Sequence, residues 1–393
     1  MTKYAVSRDG RIDEYLASVG AKQPLDLLFI SHAHADHLNG VERLLDIAKG
    51  LSVKTIVLPL LNVEDRLVAY ARAASEDAAS ADTPFYQAFV IAPSAALARF
   101  NPDRIIFVEP GNRNGGAPFS GGPDGPADGR PNLDTDLLGK ESLSWKVIGS
   151  GAIRRDGPAS AQLKAGMALV IPDTLALISS AGTQASWLFA PFVDPTVKSG
   201  TASFIASLAK ARGQTVAALK KWLRKSSNVE KLLTIYVSDL KTAYATLHTD
   251  LNVTSMCLYS GPVPVHGKST TRYLGRFGTW RISGPGKSGV GWLGTGDAAL
   301  ADKKRRTAFF KHYGKLLDEV VTLTLPHHGS DHNFDPSILE QIQPAFCIAS
   351  ADQYASWKHP GTEVSRSISS TGRFMSVVTS NVRSEVREWV SIG

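Results

Sequence analysis

Residues 30–40 read Ile30-Ser-His-Ala-His-Ala-Asp-His-Leu-Asn-Gly40, which sets His32, His34, Asp36 and His37 within six positions. In an extended segment alternate residues point the same way, so His32 and His34 can offer both imidazoles to one cation. Asp36 and His37 follow where the chain turns into a helix and diverge enough to serve a second cation. Imidazole nitrogen and carboxylate oxygen are donors that zinc and related ions accept. Two such ions about 3.5–4 Å apart can clamp an attacking oxygen and stabilise the charge of a hydrolytic transition state. Surface histidines can also cluster by accident. With ten histidines in 393 residues, chance supplies this pattern about once in several thousand chains.

The flanks read as α/β. Before the motif, LDLLFI (25–30) is a short apolar run that suits a buried strand. After it, VERLLDIAKG has helical apolar spacing at Val41, Leu44, Leu45 and Ala48 and stops at Gly50. A strand VKTIVLPLL, a helix from Val63, a helix-like FYQAFVIAPSAALARF and a strand DRIIFVEP continue the alternation. Residues 111–132 are about half Gly and Pro and read as a flexible loop or linker. Beyond them lie the β-rich stretches SLSWKVIGSG, MALVIPDTLALISSAG and SWLFAPFV, then a helical segment at about 200–250. In that segment ARGQTVAALKKWLRKSSNVEKLL is basic and amphipathic, with Val216, Leu219, Trp222 and Leu223 as its apolar positions. It reads as a helix with Trp222 packed inward and Lys and Arg outward, in preference to a dedicated nucleic-acid helix.

From about 252 the strands resume, and several end on potential ligands. Asp297 follows WLGTG, where a carboxylate could bridge two ions. His327 and His328 follow TLTL, and His359 stands in WKHPG after AFCIAS. The C-terminal ends of strands are where α/β active sites gather.

HAHADH, the TGD turn, PHHGS and a late HP dipeptide, in that order, resemble the metallo-β-lactamase superfamily. The nearest pattern is that of the hydrolase domain attached to DNA-uptake competence channels (ComEC-like), and LNVTSMCLYSG is similar to the Asn-x-x-Ser strand of that branch. The resemblance covers about 25–60 and 250–362. It implies a four-layer αββα fold, two divalent metal ions (zinc or manganese) and hydrolysis by a metal-bound hydroxide. Carried over, His32 and His34 would hold one ion, Asp36 and His37 the other, and Asp297 would bridge them, with His327 as the later ligand. His328 or His359 would orient or protonate the substrate, and Asp36 would accept a proton when not fully ligating. The division among His327, His328 and His359 stays open. The chain divides on this reading into an N-terminal half of the fold (1–96), a large insertion (97–250) and a C-terminal half (251–393). The family's first strand pair, with its Asp-x-Gly element, is either missing or reduced to residues 3–16. Of the histidines between the first motif and Asp297, His266 is a better ligand candidate than His248.

Charge bears on substrate. The chain carries a formal net charge of +7 and a pI near 9.3, which favours an anionic partner. The stretch HGKSTTRYLGRFGTWRISGPGKSG interleaves Lys268, Arg272, Arg276, Arg281 and Lys287 with Tyr273, Phe277 and Trp280. Such a pattern can pair with phosphates and stack on bases. Lys303, Lys304, Arg305 and Arg306 open a helix after Asp297, where like charges gain from a nearby anion. Both stretches also read as a solvated basic face and a hairpin with core aromatics. A phosphodiesterase or nuclease acting on DNA or RNA is the leading expectation. A small-molecule hydrolase (cyclic nucleotide, phosphoester or thioester) and a catalytically weak binding or regulatory member of the fold are the alternatives. No membrane span or secretory signal is visible, so a cytoplasmic protein is expected, with a dimer compatible. Cys257 and Cys347 sit in apolar strands and read as buried thiols.

Overall fold

The computed structural model describes residues 3–20, 24–46, 48, 50–111, 115–121, 144–156, 167–181, 185–194, 198–247, 255–263, 269–275, 278–281, 289–352 and 358–392. The protein is a mixed α/β molecule with two large sheets, a smaller three-stranded one, and helices. Its contacts divide it into two compact units, each drawn from three stretches of chain. One comprises Met1–Phe107, Arg155–Val170 and Thr196–Thr254, the other Val108–Arg154, Ile171–Pro195 and Ser255–Gly393. Residues 97–250 are therefore shared between the units. Among the described residues no helix is long and apolar enough to cross a membrane.

In the first unit a five-stranded sheet has the order Leu25–Phe29, Val53–Pro59, Arg104–Glu109, Met167–Pro172, Arg154–Arg155. Leu25–Phe29 pairs parallel to Val53–Pro59, with Leu28 opposite Ile56 and Phe29 opposite Val57. It is the edge strand and only partly buried, with Asp26 outward on Lys54 at 2.8 Å. The expected buried strand thus lies one position further in, at Val53–Pro59, whose residues from Thr55 onward are all buried. Helix Val63–Glu76 begins where Asn62 accepts from the Asp65 N–H, and it buries Leu67, Tyr70 and Ala71. The expected helix at 85–100 is two, Pro84–Ile91 and Pro93–Ala98, because Pro93 cannot continue the first.

Three further expectations are corrected in this unit. Residues 3–16 form no strand pair; they lie in one helix, Lys3–Val19. The helix after the motif is a single turn, Val41–Leu44, with Leu45 already leaving helical geometry. Gly40 precedes that turn, and a Cβ there would come within 3.1 Å of Ile12 Cδ1, so the absent side chain lets the N-terminal helix lie close. The segment at 200–250 forms four helices, Lys198–Ala211, Val216–Trp222, Ser226–Thr234 and Val237–Ala245. Leu219 and Leu223 are buried and Trp222 packs against the core, but Val216 faces solvent. The Tyr70 hydroxyl donates to the Leu233 carbonyl at 3.0 Å and ties these helices to Val63–Glu76.

In the second unit eight strands form one sheet: Phe374–Val378, Phe346–Ser350, Val320–Thr324, Gly291–Gly294, Met256–Pro262, Ala185–Val193, Leu175–Ala181, Lys146–Gly149. The first four are mutually parallel and the remainder antiparallel. Parallel neighbours bring their C-terminal ends to one edge of the sheet. A smaller sheet joins Gly278–Arg281, Ser269–Gly275 and Arg387–Ile392. Cys257 and Cys347 are free and buried, and burial pushes the Cys347 thiol up to about 12. Most of the Gly/Pro-rich stretch 111–132 lies outside the described residues.

Candidate metal centre

In the first unit the motif leaves the edge strand as expected. The Ile30 N–H donates to the Val57 carbonyl at 2.9 Å, and the chain stays extended through His34 (φ −76°, ψ 151°) before the turn Ala35–Leu38. The buried Tyr86 hydroxyl donates to the Ala33 carbonyl at 3.0 Å and pins the middle of the loop. The rings of His32 and His34 meet edge-on at 4.5 Å between centroids, and those of His32 and His37 lie 3.8 Å apart. His37 Nε2 stands 3.5 Å from Asp36 Oδ2. His32, Asp36 and His37 each offer a ligand atom, all within 4.8 Å of one another. Two ligands bound at about 2.2 Å stand at most about 4.4 Å apart, so this set is within a few tenths of an ångström of a coordination sphere. Ser31 Oγ lies 3.1 Å from His32 Nδ1 and 3.2 Å from His37 Nδ1. If it accepts from both N–H groups, both Nε2 atoms keep their lone pairs for a cation.

A cleft of about 330 Å³ opens beside Asp36 and His37, walled by Arg8, Ile12, Leu28, Ile30, Ser31 and Val41. Arg8 comes from the N-terminal helix, and its guanidinium pairs with Asp9 at 2.7 Å.

In the second unit the loops after three adjacent parallel strands carry Asp297, His327, His328 and His359. The turn at Asp297 is tightly held. Thr295 Oγ1 donates to the Thr324 carbonyl at 2.6 Å, and the Asp297 N–H donates to Ser255 Oγ at 2.8 Å. The His327 N–H donates to the Gly296 carbonyl at 2.8 Å. Asp297 and His327 are buried, and His327 Nε2 faces Asp297 Oδ2 at 3.9 Å. His327 Nδ1 lies 3.0 Å from Asn333 Oδ1, while Asn333 Nδ2 donates to the Asp297 carbonyl at 3.4 Å. If Nδ1 donates to the Asn333 oxygen, the Nε2 lone pair is left toward the carboxylate. At 3.9 Å no direct hydrogen bond joins them. Two lone-pair donors face each other across a gap that suits a cation.

His327 and His328 both adopt left-handed backbone, at φ 46° and 59°, and Gly329 follows at φ 82°. For non-glycine residues this costs about 1–2 kcal/mol each, and such strain gathers at functional sites. Gly329 makes the turn fit, since a Cβ there would come within 2.9 Å of Pro360. The His359 ring lies 5.6 Å from His327 and 6.3 Å from His328 between centroids. Burial and then the two neighbouring imidazoles hold its pKa below the usual histidine value.

The basic stretches fare unevenly. Lys268, Arg276, Phe277 and Lys287 lie outside the described residues, as do His248 and His266, while Arg272, Tyr273, Trp280 and Arg281 stand on the strands Ser269–Gly275 and Gly278–Arg281. Helix Lys303–Tyr313 begins as expected, but its first-turn charge is largely answered within the protein. Asp302 caps the Arg305 N–H at 3.0 Å, and Arg305 lies 3.4 Å from Asp194. Arg306 pairs with Asp335 at 3.0 Å and donates to the Leu300 and Ala301 carbonyls. Lys303 and Lys304 alone of the four are exposed. Sequence reading missed Ser31, Tyr86 and Asn333. Asn333 lies six residues beyond His327, and nothing local marks it.

Comparison with family models, with curated proteins and with solved structures finds no match to the chain.

Proposed function

We propose that the chain is a metal-dependent hydrolase of metallo-β-lactamase type, a phosphodiesterase or nuclease acting on DNA or RNA. The observation that carries it is the buried His327–Asp297 pair, with Nε2 and a carboxylate oxygen facing at 3.9 Å and Asn333 holding the other ring nitrogen. The donor set of His32, Asp36 and His37 supports the same reading from the other motif. His34 completes that motif, and the proposed ligands are His32, His34, Asp36, His37, Asp297 and His327. Two divalent ions, when bound, supply Lewis-acid polarisation of the scissile ester and activation of water. The protein's own residues do the positioning. Ser31 and Asn333 hold ring orientation, Ser255 holds the turn at Asp297, and the strained backbone at His328 aims that ring at substrate together with His359. The four-layer αββα arrangement belongs to this proposal, as does a place in the cytoplasm.

The cleft beside Asp36 and His37, lined by Arg8 and Ser31 as well as by Ile12, Leu28, Ile30 and Val41, favours a second reading: hydrolysis of a small phosphoester or cyclic nucleotide.

Metal analysis of the purified protein, followed by incubation with DNA, RNA and bis-p-nitrophenyl phosphate in Mn²⁺ or Zn²⁺, tests both. Close to two metal equivalents per chain and cleavage abolished by Asp36→Ala and by Asp297→Ala are expected. Polymers left intact while the small ester is cleaved would favour the second reading. Cleavage that survives both substitutions overturns the site.

A further inference from the structure

Residues 198–245 carry nine Lys and Arg against two Asp and Glu, a net +7, and the whole chain carries +7. The rest of the molecule is electrically balanced, so the basic character of the protein resides in four consecutive helices. Within them the charge concentrates around one turn. Lys220 and Lys221 end helix Val216–Trp222, Arg224 and Lys225 form the connection, and Lys231 lies on helix Ser226–Thr234. All five are exposed. Lys220 reaches Glu64 at 2.9 Å. Among the described residues, Lys221, Arg224, Lys225 and Lys231 have no ion-pair partner. Arg212, by contrast, is built into the fold: it pairs with Asp239 at 3.1 Å and lies 3.5 Å from the Tyr236 ring centroid.

The last-turn positions of Lys221 and Lys231 suit the helix dipole, but the packing of these helices does not use the charges. Leu219, Leu223, Val229, Leu232 and Leu233 do the packing. Lys221, Arg224 and Lys225, set along one turn and without ion-pair partners among the described residues, repel one another and raise the free energy of the folded chain. A surface that keeps them gains when a polyanion replaces the missing counter-ions.

We infer that this helical turn binds the phosphate backbone of nucleic acid, through Lys221, Arg224, Lys225 and Lys231. Trp222 is packed against the core with the Arg212 guanidinium 5.6 Å over its ring, so it offers no open face for a base. Recognition is therefore electrostatic and independent of sequence. The inference takes its partner from the proposed function but does not depend on cleavage, since it concerns cations remote in sequence from every proposed ligand.

The test is binding of the full chain to a labelled duplex DNA in EDTA, across a salt series. The triple variant Lys221→Gln, Arg224→Gln, Lys225→Gln is compared with a control that removes three exposed charges elsewhere, Lys146→Gln, Arg155→Gln, Arg383→Gln. The first variant should weaken binding by roughly tenfold or more near 0.1 M salt and flatten the log K against log salt slope by about three. The control should leave both nearly unchanged, and duplexes of unrelated sequence should bind alike. Hydrolysis of bis-p-nitrophenyl phosphate should persist in both variants if the metal-centre reading holds, and its loss from wild type would count against that reading alone. An unchanged slope in the first variant, an equal loss in the control, or binding to anionic phosphatidylserine vesicles in place of DNA overturns the proposal.

Discussion

At the scale of single residues, the side chains that hold the candidate ligands in place matter as much as the ligands. Asn333→Ala removes the partner of His327 Nδ1, leaving a buried ring free to rotate and to change tautomer. Metal affinity, read by chelator competition, should fall roughly 10–100-fold, and unfolding free energy by about 1–3 kcal/mol. Unchanged affinity would show that the ring needs no anchor. The candidate donors were legible in the sequence, because four in six residues make a dense pattern and strand ends are where donors are useful. Asn333 and Ser31 were not, because a polar residue that bonds a ring across a loop leaves no periodicity and no spacing rule. The left-handed backbone of His327 and His328 was equally hidden: neither residue type marks a turn as Asn-Gly does.

At the scale of elements, the apolar runs located most strands within a residue or two, because alternation and continuous burial are strong signals. Mistakes arose where a neighbour decided the outcome. Residues 3–16 are the stretch where the sequence leaves room for a reduced strand pair; instead the helix Lys3–Val19 forms through Gly10, and Val6 and Tyr15 remain exposed on it. Its packing rests on Ile12 and Arg8 near Gly40, which no local pattern announces. Gly10 lies inside this helix with open space where a Cβ would stand. Gly10→Ala should therefore stabilise the protein by about 0.5–1 kcal/mol through the unfolded chain's lost freedom. A denaturant series with an unchanged m-value and a raised midpoint would show it; a lowered midpoint would contradict the helix. In the basic first turn of Lys303–Tyr313, Asp194 and Asp335 answer Arg305 and Arg306 and Asp302 caps the Arg305 N–H, while Lys303 and Lys304 stay exposed.

For the molecule as a whole, buried ionisable groups set how stability responds to pH. Burial pushes Glu388 up to about 7 despite the hydrogen bond from Thr322. The folded state then holds a proton that the unfolded chain releases from about pH 4.5, so stability falls as pH rises from there to about 7, by up to roughly 3 kcal/mol. Asp173 and His312 form a buried pair, Oδ2 to Nδ1 at 3.9 Å. Burial holds the carboxyl well above its usual range and lowers the imidazole to about 3. The lowered imidazole costs stability below about pH 6.5, where the unfolded histidine takes up a proton, and the raised carboxyl costs stability above about pH 4, where the unfolded carboxylate has released one, so the two oppose each other. Glu388 therefore tilts the melting-temperature profile downward between about pH 4.5 and 7. Glu388→Gln should remove that decline; a profile it leaves unaltered would refute the assignment. None of this was readable in the sequence, because burial of an acid depends on the packing of distant strands. The division of the chain has a last consequence, for synthesis. The first unit needs Thr196–Thr254 to close its core over Leu67 and Tyr70, which are made about 150 residues earlier. At about 5–20 residues per second a ribosome takes on the order of ten to thirty seconds to supply them. Over that interval the nascent N-terminal segment must wait with an open apolar face, which makes it a natural client for chaperones that bind chains still under translation.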